Sequence, residues 1–452
     1  MIHWDAARLA EITRARLSAG TGRAGAGHGG PRGATVDSRE VQPGELFVGL
    51  RGEREDGGAY ASHALQAGAW GVLVAPEHAA ALPADTPGAV LAHPDPLGAL
   101  QALAHAWRNE LGARVVAITG STGKTSTKDI LAAVLGVRLR TVASPQNLNT
   151  EIGLPLAVLA APSGTEALVL ELAMRGSGQI AELMAIAQPD VGVIVNVGPV
   201  HLEILGSLEA VAAAKAELIA GLEAGSTVVL PHGETLLDPH RREDLQTVTF
   251  GGKGDVRLLA QEPREIVVGI GGERLALRPS FAQSHNLRNL LAAIAAAHAL
   301  GVTPEGRLEV TFSALRGERI ALQDEILLID DCYNANPMSM RAALEDLTGS
   351  APARRVAVLG DMLELGSEEK RFHREVGAYA QELGVEVLVA VGPLAAEMAE
   401  GFQTGEMHRV HDARAAAELL PTLLQARDTV LVKGSRGVGL ELVGQTLRRE
   451  ES

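Results

Sequence analysis

A glycine-rich loop between a strand pattern and a helix pattern is the segment of this chain best suited to chemistry. In VVAITGSTGKTSTKDIL, the β-forming residues 115–119 precede the loop, and a helical pattern begins at Lys124. Glycines allow backbone N–H groups to point inward, and the helix N-terminus adds partial positive charge. Lys124 can then reach terminal phosphates, and the Thr125 hydroxyl can bind Mg²⁺. The pattern therefore predicts a nucleotide phosphate site.

Two glycine motifs need to be weighed against simpler readings. The loop departs from the usual phosphate-loop spacing because Ile118 stands where the first glycine would be, so an ordinary turn that contains a lysine is the alternative. The segment GSRGVG at 434–439 matches GxGxxG by letter, but no acidic ribose partner follows it about twenty residues on. We interpret Lys433, Ser435 and Arg436 as an anion-binding strand end instead.

Three further residues stand where metal or lysine chemistry could occur. Glu171 lies at the end of an apolar strand pattern, where parallel sheets place their sites, and His201 follows the pattern at 191–197. A structural carboxylate and a loop or cap histidine are the alternatives. Lys215 has only apolar residues at helical spacing and no carboxylate to pair with. It is either a lysine with its charged end in water or a neutralised or modified lysine.

Bulk composition limits the classes of function. The chain of 452 residues suggests about three domains of roughly 150 residues each. A formal charge of −15 argues against a general nucleic-acid or anionic-membrane binder. The single cysteine, Cys332, excludes a disulfide framework, and we interpret it as a small packing residue. The sequence shows no secretory signal or long apolar run, so a cytoplasmic protein without a membrane span is expected.

Pattern changes along the chain divide it into three regions, 1–111, 112–322 and 323–452. The first contains a glycine-rich tract at 20–34, which predicts a loop, and short strands at 46–48 and 71–74. Alternating strand and helix patterns in the second and third regions predict parallel sheets with helices on both faces. The fold class is thus α/β, with a small N-terminal domain, a central phosphate-loop domain and a C-terminal Rossmann-like domain.

The motifs, taken in order, resemble those of the Mur ligase superfamily, and most closely the MurF family of UDP-N-acetylmuramoyl-tripeptide–D-alanyl-D-alanine ligases. The matching segments cover nearly the whole chain: DSREVQPGELFVGLRGEREDG, ITGSTGKTS, QNLNTEIGLPL, LELAMRGSGQIAEL, NVGPVHLEILGS, AKAEL, SHNLRN, RGERI, DDCYNANPMSM, VLGDMLELG and LVKGSRG. No DNPR motif of the related MurE family is present. Three positions depart from the pattern, with Ala173 and Ala216 replacing commoner glycines and Gly58 replacing a frequent histidine.

The resemblance implies a role for each matching residue. Those implied to bind ATP are Gly120, Ser121, Thr122, Gly123, Lys124, Thr125, Ser126, Asn289, Arg319, Asp331 and Tyr333. Those implied to bind metal are Thr125, Glu171, His201 and Lys215, the last as a carbamate, and those implied to be catalytic are Lys124, His201 and Lys215. Those implied to bind substrate are Ser38, Arg39 and Arg51 on the uridine-nucleotide side, with Asn147, Asn149, Asn334, Asn336, Lys433, Ser435 and Arg436 elsewhere.

The implied activity is an ATP- and Mg²⁺-dependent ligation, with two Mg²⁺ ions expected. ATP would phosphorylate the tripeptide carboxylate to an acyl phosphate, and the amine of D-alanyl-D-alanine would displace the phosphate. The expected partners are these two substrates and no nucleic acid, and the expected state is a monomer. A MurE-type ligase that adds one amino acid is the nearest alternative. A nucleotide-binding switch without ligation would have no need for His201 or Lys215.

Overall fold

The computed structural model describes residues 4–18, 29–145 and 148–449. Within these ranges the chain forms four β-sheets, three of them largely parallel and flanked by helices. The predicted α/β class is therefore confirmed. None of the helices in the described ranges is both long and apolar enough to cross a bilayer.

The N-terminal domain is built on a small sheet with the strand order β1-β5-β4-β3-β2, in which only β1 runs antiparallel to its neighbour. Its strands are β1 (Arg16–Leu17), β2 (Ala34–Thr35), β3 (Leu46–Val48), β4 (Gly71–Val74) and β5 (Ala89–Ala92). Its helices are α1 (Ala6–Thr13), α2 (Ala61–Gln66), α3 (Pro76–Ala80) and α4 (Pro96–Leu111), with a 3₁₀ turn at Gly57–Tyr60. Strands β3 and β4 have the predicted bounds. Residues 20–28, which form most of the glycine-rich tract, lie outside the described ranges.

The central domain contains a parallel sheet with the order β11-β10-β9-β6-β8-β7. Its strands are β6 (Arg114–Thr119), β7 (Thr141–Ala143), β8 (Ala167–Glu171), β9 (Val191–Ile194), β10 (Thr227–Pro231) and β11 (Gln246–Phe250). Its helices are α5 (Lys124–Gly136), α6 (Gly153–Ala160), α7 (Gln179–Ala187), α8 (Leu202–Leu205), α9 (Leu208–Ala220) and α10 (Ser284–Ala299), with a 3₁₀ segment at Thr235–His240. Because the order reverses around β6, the loop after β6 opens at the switch point, where such sheets bind ligands.

A second, mainly antiparallel sheet extends the central domain, and the strand–helix alternation predicted for this region did not include it. Its strands are β12 (Arg257–Glu262), β13 (Glu265–Ile270), β14 (Glu273–Pro279) and β15 (Gly306–Leu308). Strand β12 is exposed along its whole length, so its sequence carries no alternation of apolar and polar residues. Pairing with β13 rather than a local pattern defines it.

The C-terminal domain has the sheet order β16-β17-β21-β18-β19-β20, parallel except for β16. Its strands are β16 (Glu318–Ala321), β17 (Leu327–Asp330), β18 (Arg355–Gly360), β19 (Val387–Val391), β20 (Glu406–Val410) and β21 (Thr429–Lys433). Its helices are α11 (Pro337–Ser350), α12 (Glu369–Glu382), α13 (Met398–Gly401), α14 (Ala413–Leu423) and α15 (Glu441–Arg449). Short 3₁₀ turns lie at Gln323–Glu325, Gly366–Glu368, Ala395–Glu397 and Arg436–Val438. This sheet begins with β16, a mostly exposed edge strand on the central-domain side of the predicted division at residue 323.

The N-terminal and central domains share one hydrophobic core. Leu100, Leu103 and Trp107 of α4 are buried between the N-terminal sheet and helices of the central domain. The Trp107 indole donates a 3.0 Å hydrogen bond to the Ala161 carbonyl and meets the Trp4 ring edge to face at 5.5 Å. Each such side chain contributes on the order of 1.5–3 kcal/mol by burial. This shared core holds the two domains together.

Candidate active site

A cavity of about 570 Å³ lies between the loop after β6 and the C-terminal domain. Its central-domain wall includes the loop, the end of β8 and the start of α10, and its C-terminal wall includes the segment after β17 and helix α11. Of the predicted site residues, the structure brings together Ser121, Thr122, Gly123, Lys124, Thr125, Ser126, Asn149, Glu171, His201, Asn289, Asp331, Tyr333, Asn334, Asn336 and Lys433.

The loop after β6 is shaped to receive an anion. Gly123 has a φ of 78° at the start of α5, and no side chain caps the helix. The first-turn N–H groups therefore remain available, where the helix dipole favours negative charge. Asn196 holds the loop because its amide group bonds both the N–H and the carbonyl of Thr122, each at 3.0 Å. A Cβ atom at Gly123 would lie only 2.7 Å from Asn289 Oδ1, so a glycine fits here.

The Lys124 side chain folds back onto the loop. The Nζ atom donates a 2.9 Å hydrogen bond to the Gly120 carbonyl. Burial lowers the pKa of Lys124, the nearby Glu171 carboxylate partly offsets this effect, and the Arg316 guanidinium lowers the pKa further. A negatively charged group next to this amine would favour its charged form, and a phosphate would be such a group.

Two side-chain oxygens that could bind a metal ion meet here, one from the start of α5 and one from the end of β8. The Thr125 hydroxyl donates a 2.8 Å hydrogen bond to Glu171 Oε2, and Asn149 Nδ2 donates one of 3.0 Å to Oε1. The Glu171 N–H bonds the Ser144 hydroxyl at 3.1 Å, which fixes the backbone at the strand end. Within the described ranges, no group of three or more His, Cys, Asp or Glu side chains is arranged to hold a metal. Thr125 and Glu171 still suit Mg²⁺, which takes few protein oxygens and completes its shell with phosphate and water.

His201 is half-buried and Lys215 is buried, and their surroundings differ. His201 Nδ1 lies 2.5 Å from Glu364 Oε2 in the C-terminal domain. Burial lowers the pKa of His201, although Glu364 acts in the opposite direction, and Lys215 and Lys124 lower it further. Lys215 is 2% exposed, and no residue in the described part of the chain hydrogen bonds or pairs with its amine. Burial, reinforced by the charge of Lys124, lowers its pKa well below the usual value, which favours a neutral amine.

The C-terminal wall adds an arginine that the sequence analysis did not select. Arg316 donates a 3.2 Å hydrogen bond to the Thr125 hydroxyl, and its guanidinium lies 3.8 Å from the centre of the Tyr333 ring. Lys433 is buried and bonds the Asp331 carboxylate at 2.6 Å and the Asn334 carbonyl at 3.0 Å. These contacts order the segment after β17 against the phosphate loop.

Several predicted substrate residues serve the folding of the C-terminal wall. Asn336 caps α11 by accepting from the Ser339 N–H at 2.9 Å, and its Nδ2 lies 3.5 Å from the Ser121 carbonyl. The Ser435 hydroxyl accepts from the Leu363 N–H at 3.0 Å, which ties the end of β21 to the loop after β18. Arg436 stacks more distantly on Tyr333, at 5.8 Å from the ring centre.

Eight predicted residues within the described ranges do not line this cavity: Gly120, Lys215, Ser435, Arg436, Ser38, Arg39, Arg51 and Arg319. Ser38, Arg39 and Arg51 belong to the N-terminal domain, where Arg39 pairs with Asp37 at 2.5 Å. Arg319 lies in an adjoining cavity of about 180 Å³ and bonds Asp346 at 2.7 Å. Asn147 lies outside the described ranges.

Three residues of the site were missed in the sequence analysis. Arg316 stands in the same RGER segment as Arg319, and Glu364 stands in the VLGDMLELG segment. Both motifs were recognised, but Arg316, which contacts Thr125, and Glu364, which contacts His201, were not predicted as site residues. Asn196 lies two residues after the end of β9, and a polar residue near a parallel strand end is the signal that could have identified it.

Comparisons with known proteins identify the family of the chain. The Mur ligase middle domain matches residues 118–297, and the Mur ligase glutamate ligase domain matches residues 315–436. The UDP-N-acetylmuramoyl-tripeptide–D-alanyl-D-alanine ligase of Bacillus subtilis is 37% identical over 92% of this chain and 93% of its own length. The enzyme of the same name from Escherichia coli K12 is 32% identical, with 92% and 93% covered.

Solved structures give the same result for the fold and the family. A crystal structure of MurF from Acinetobacter baumannii has a TM-score of 0.85 at 28% identity and covers 99% of both chains. MurF ligase from Thermotoga maritima, solved in complex with ADP, has a TM-score of 0.80 at 28% identity and covers 93% of this chain and 97% of its own. On this similarity along nearly its whole length, the chain belongs to the Mur ligases, in the MurF family of UDP-N-acetylmuramoyl-tripeptide–D-alanyl-D-alanine ligases.

Proposed function

We propose that this chain joins D-alanyl-D-alanine to UDP-N-acetylmuramoyl-tripeptide, with ATP converted to ADP and phosphate. The names of its relatives and the ADP complex of the Thermotoga maritima enzyme support this assignment. The observation that carries it is the shared cavity, in which the phosphate loop and the Thr125–Glu171 pair face the C-terminal domain.

Activation of the tripeptide carboxylate requires two anions to approach one another. The N–H groups of the phosphate loop, Lys124 and Arg316 would offset that repulsion and hold the γ-phosphate for transfer. The carboxylate oxygen forms a bond to γ-phosphorus while the bond to the β–γ bridging oxygen breaks, which yields an acyl phosphate and ADP. Asn289 and Arg319 would lie toward the nucleoside, and Asp331 and Tyr333 along the C-terminal face of ATP.

The donor set supports a place for Mg²⁺ beside the phosphates. Thr125 and Glu171 would hold one ion and His201 and Lys215 a second, and the ions would supply positive charge to the phosphate oxygens. Lys215 would serve as a carbamate, formed when its neutral amine adds to CO₂ with loss of one proton. That modification turns a buried amine into an anionic oxygen ligand, and so accounts for a lysine without a partner in the described ranges.

The second half-reaction joins the two peptides. The amine of D-alanyl-D-alanine attacks the acyl carbon, and phosphate leaves from the tetrahedral intermediate. Closure of the C-terminal domain would exclude water, which would otherwise hydrolyse the acyl phosphate. The polar residues proposed to orient the peptides at this cleft are Asn147, Asn149, Asn334, Asn336, Lys433, Ser435 and Arg436.

Each domain has a proposed share of the substrates. Residues 1–111, with Ser38, Arg39 and Arg51, would bind the uridine nucleotide. Residues 112–322 would bind ATP, and residues 323–452, together with the edge strand β16, would bind the dipeptide and close on ATP. We further propose cytoplasmic action, where ATP is supplied, and a monomeric state.

Acceptor choice tests the assignment against its nearest alternative. The purified chain is incubated with ATP, Mg²⁺ and UDP-N-acetylmuramoyl-tripeptide, and ADP formation is compared with D-alanyl-D-alanine, with single amino acids and without an acceptor. We expect ADP formation to require the dipeptide. Turnover with a single amino acid and none with the dipeptide would assign a MurE-type reaction, and turnover independent of any acceptor would indicate a nucleotide switch.

A further inference from the structure

A loop of the C-terminal domain docks on the segment that carries His201. Glu364 Oε2 lies 2.5 Å from His201 Nδ1, and the Glu364 carbonyl accepts from the Glu203 N–H at 3.3 Å. Two residues on, a side chain at Gly366 would meet Glu203 Cα at 3.2 Å, so the two backbones approach closely. The contact thus joins the C-terminal and central domains through both side chain and backbone.

Apolar packing accompanies this polar contact. Leu202, the first residue of α8, packs against the core of the C-terminal domain as well as the core of its own domain. Nearby, a Cβ atom at Gly198 would overlap the Met338 sulfur of α11, so the domains are also in close contact beside the phosphate loop. The site therefore depends on how the C-terminal domain sits against α8.

The backbone of Glu364 adds evidence that its position is specific. Its φ is 65°, in the left-handed region that residues other than glycine rarely adopt. His201 also has a positive φ, of 54°. Strain of this kind persists where surrounding contacts impose it, and here both strained residues lie on opposite sides of one interdomain hydrogen bond.

The chemistry of the bond orients the imidazole. A carboxylate oxygen only accepts, so Nδ1 carries the shared hydrogen and Nε2 is the ring nitrogen that remains for the cavity. Arg175 Nε lies 3.8 Å from the second Glu364 oxygen, which restrains the carboxylate from the central-domain side. An outer carboxylate of this kind fixes both the tautomer and the direction of a histidine.

We propose that Glu364 is a positioning residue that holds the C-terminal domain against α8 and orients His201, so that the site is complete only when the domains close. The inference rests on the proposed function for its effect on turnover, whereas its effect on domain closure is independent of that function. Removal of the carboxylate lowers kcat about ten- to a hundredfold, the range seen when an outer-shell partner is lost. Because closure and nucleotide binding are coupled, the KM for ATP rises by up to about tenfold, in parallel with the nucleotide concentration needed for closure.

Two variants separate the side chain from the backbone. Glu364→Gly removes the carboxylate and suits the positive φ, so the loop keeps its conformation. Glu364→Gln keeps the shape and removes the charge. Glu368→Gln is the matched control, because it removes the same charge from the same segment, and within the described ranges Glu368 pairs only with the exposed Arg371.

Domain closure is measured by fluorescence energy transfer. Val137→Cys and Arg414→Cys place dyes on the two domains, at positions 73% and 82% exposed, while the native Cys332 is buried. Mg²⁺–AMP-PNP is the probe, and kcat and KM are measured in parallel with unlabelled protein.

We expect both Glu364 variants to need about tenfold more Mg²⁺–AMP-PNP for half-maximal closure, with reduced kcat and unchanged melting temperature. Glu368→Gln should behave as the parent chain. Closure at parental concentrations together with kcat within twofold of the parent would overturn the proposal. A parent chain that closes on the nucleotide but forms no ligated product would refute the proposed function. The role of Glu364 would then be judged from the closure measurement alone.

Discussion

The Thr125 hydroxyl and the Glu171 carboxylate are joined by a 2.8 Å hydrogen bond at the centre of the cavity. Thr125 lies in the first turn of α5, which follows β6, and Glu171 ends β8, the neighbouring strand in the sheet. Parallel pairing of β6 with β8 therefore brings two residues 46 positions apart into contact. The result is a pair of oxygen donors immediately beside the phosphate loop.

Replacement of Thr125 tests this pair directly. Thr125→Val keeps the buried volume but removes the hydroxyl, so we expect turnover to fall at least about a hundredfold, in line with the loss of a group that stabilises the transition state. Thr125→Ser retains the hydroxyl and should keep most of the activity. The measurement is ADP formation over a range of Mg²⁺ concentrations. Equal activity of the Val and Ser variants would rule out a role for this hydroxyl.

Gly123→Ala tests the shape of the loop. The new Cβ would lie 2.7 Å from Asn289 Oδ1, and φ is 78°, so the substitution brings both a close contact and backbone strain. We expect the KM for ATP to rise about tenfold or more, corresponding to at least about 1.4 kcal/mol of lost binding. Gly136→Ala is the control, because Gly136 ends the same helix with open space around it. That variant should be neutral or stabilising by about 0.5–1 kcal/mol in thermal unfolding.

The two arginines of the RGER segment should differ in their effects. Arg316 bonds Thr125 in the large cavity, whereas Arg319 bonds Asp346 in the adjoining one. We expect Arg316→Gln to lower kcat/KM for ATP about a hundredfold, and Arg319→Gln to act mainly on KM and by about tenfold. Initial rates at varied ATP concentration check this order. A larger loss of kcat in the Arg319 variant would reverse the assignment.

Lys215→Met should raise stability while abolishing ligation. The folded-state pKa of Lys215 is lowered, because burial and the nearby Lys124 penalise the cation. The resulting loss of folding stability is complete below the folded-state pKa. It shrinks above that pKa and disappears as the pH rises through the unfolded-state pKa of about 10.4. The stabilisation by Met is therefore expected near neutral pH and should shrink toward pH 10. Melting temperatures in CO₂-free buffer from pH 7 to 10 measure it, and a Met variant less stable than the parent at pH 7 would contradict the account.

Local patterns in the sequence identified the elements that carry the phosphate site. The β-run before the glycines, the GKT triplet and the apolar strand ending at Glu171 are short-range signals. Strand β6 matches the predicted run to within a residue, α5 begins at Lys124 and β8 ends at Glu171, as predicted. Lys215 also stood out, because a lysine among apolar helix positions has no favourable ordinary environment, and the structure shows it buried.

Contacts between distant segments were beyond such patterns. The exposed strand β12 has no alternation to mark it, so the antiparallel sheet was missed. The sequence could not show that Arg316 and Arg319 make different contacts. Their difference depends on which of the two side chains reaches α5 across the domain junction, and only the folded chain determines this. Glu364 lies in a matching motif, but nothing in the sequence indicated its contact with His201, which lies 163 positions away in another domain.

The most direct test of the central claim is the product of a single reaction mixture. The chain, ATP, Mg²⁺ and UDP-N-acetylmuramoyl-tripeptide are combined with D-alanyl-D-alanine, phosphate release is followed, and the product is weighed by mass spectrometry. The account predicts phosphate release that requires both peptides and a product mass equal to their sum less one water. Phosphate release that depends on neither peptide, with no product of that mass, would contradict it.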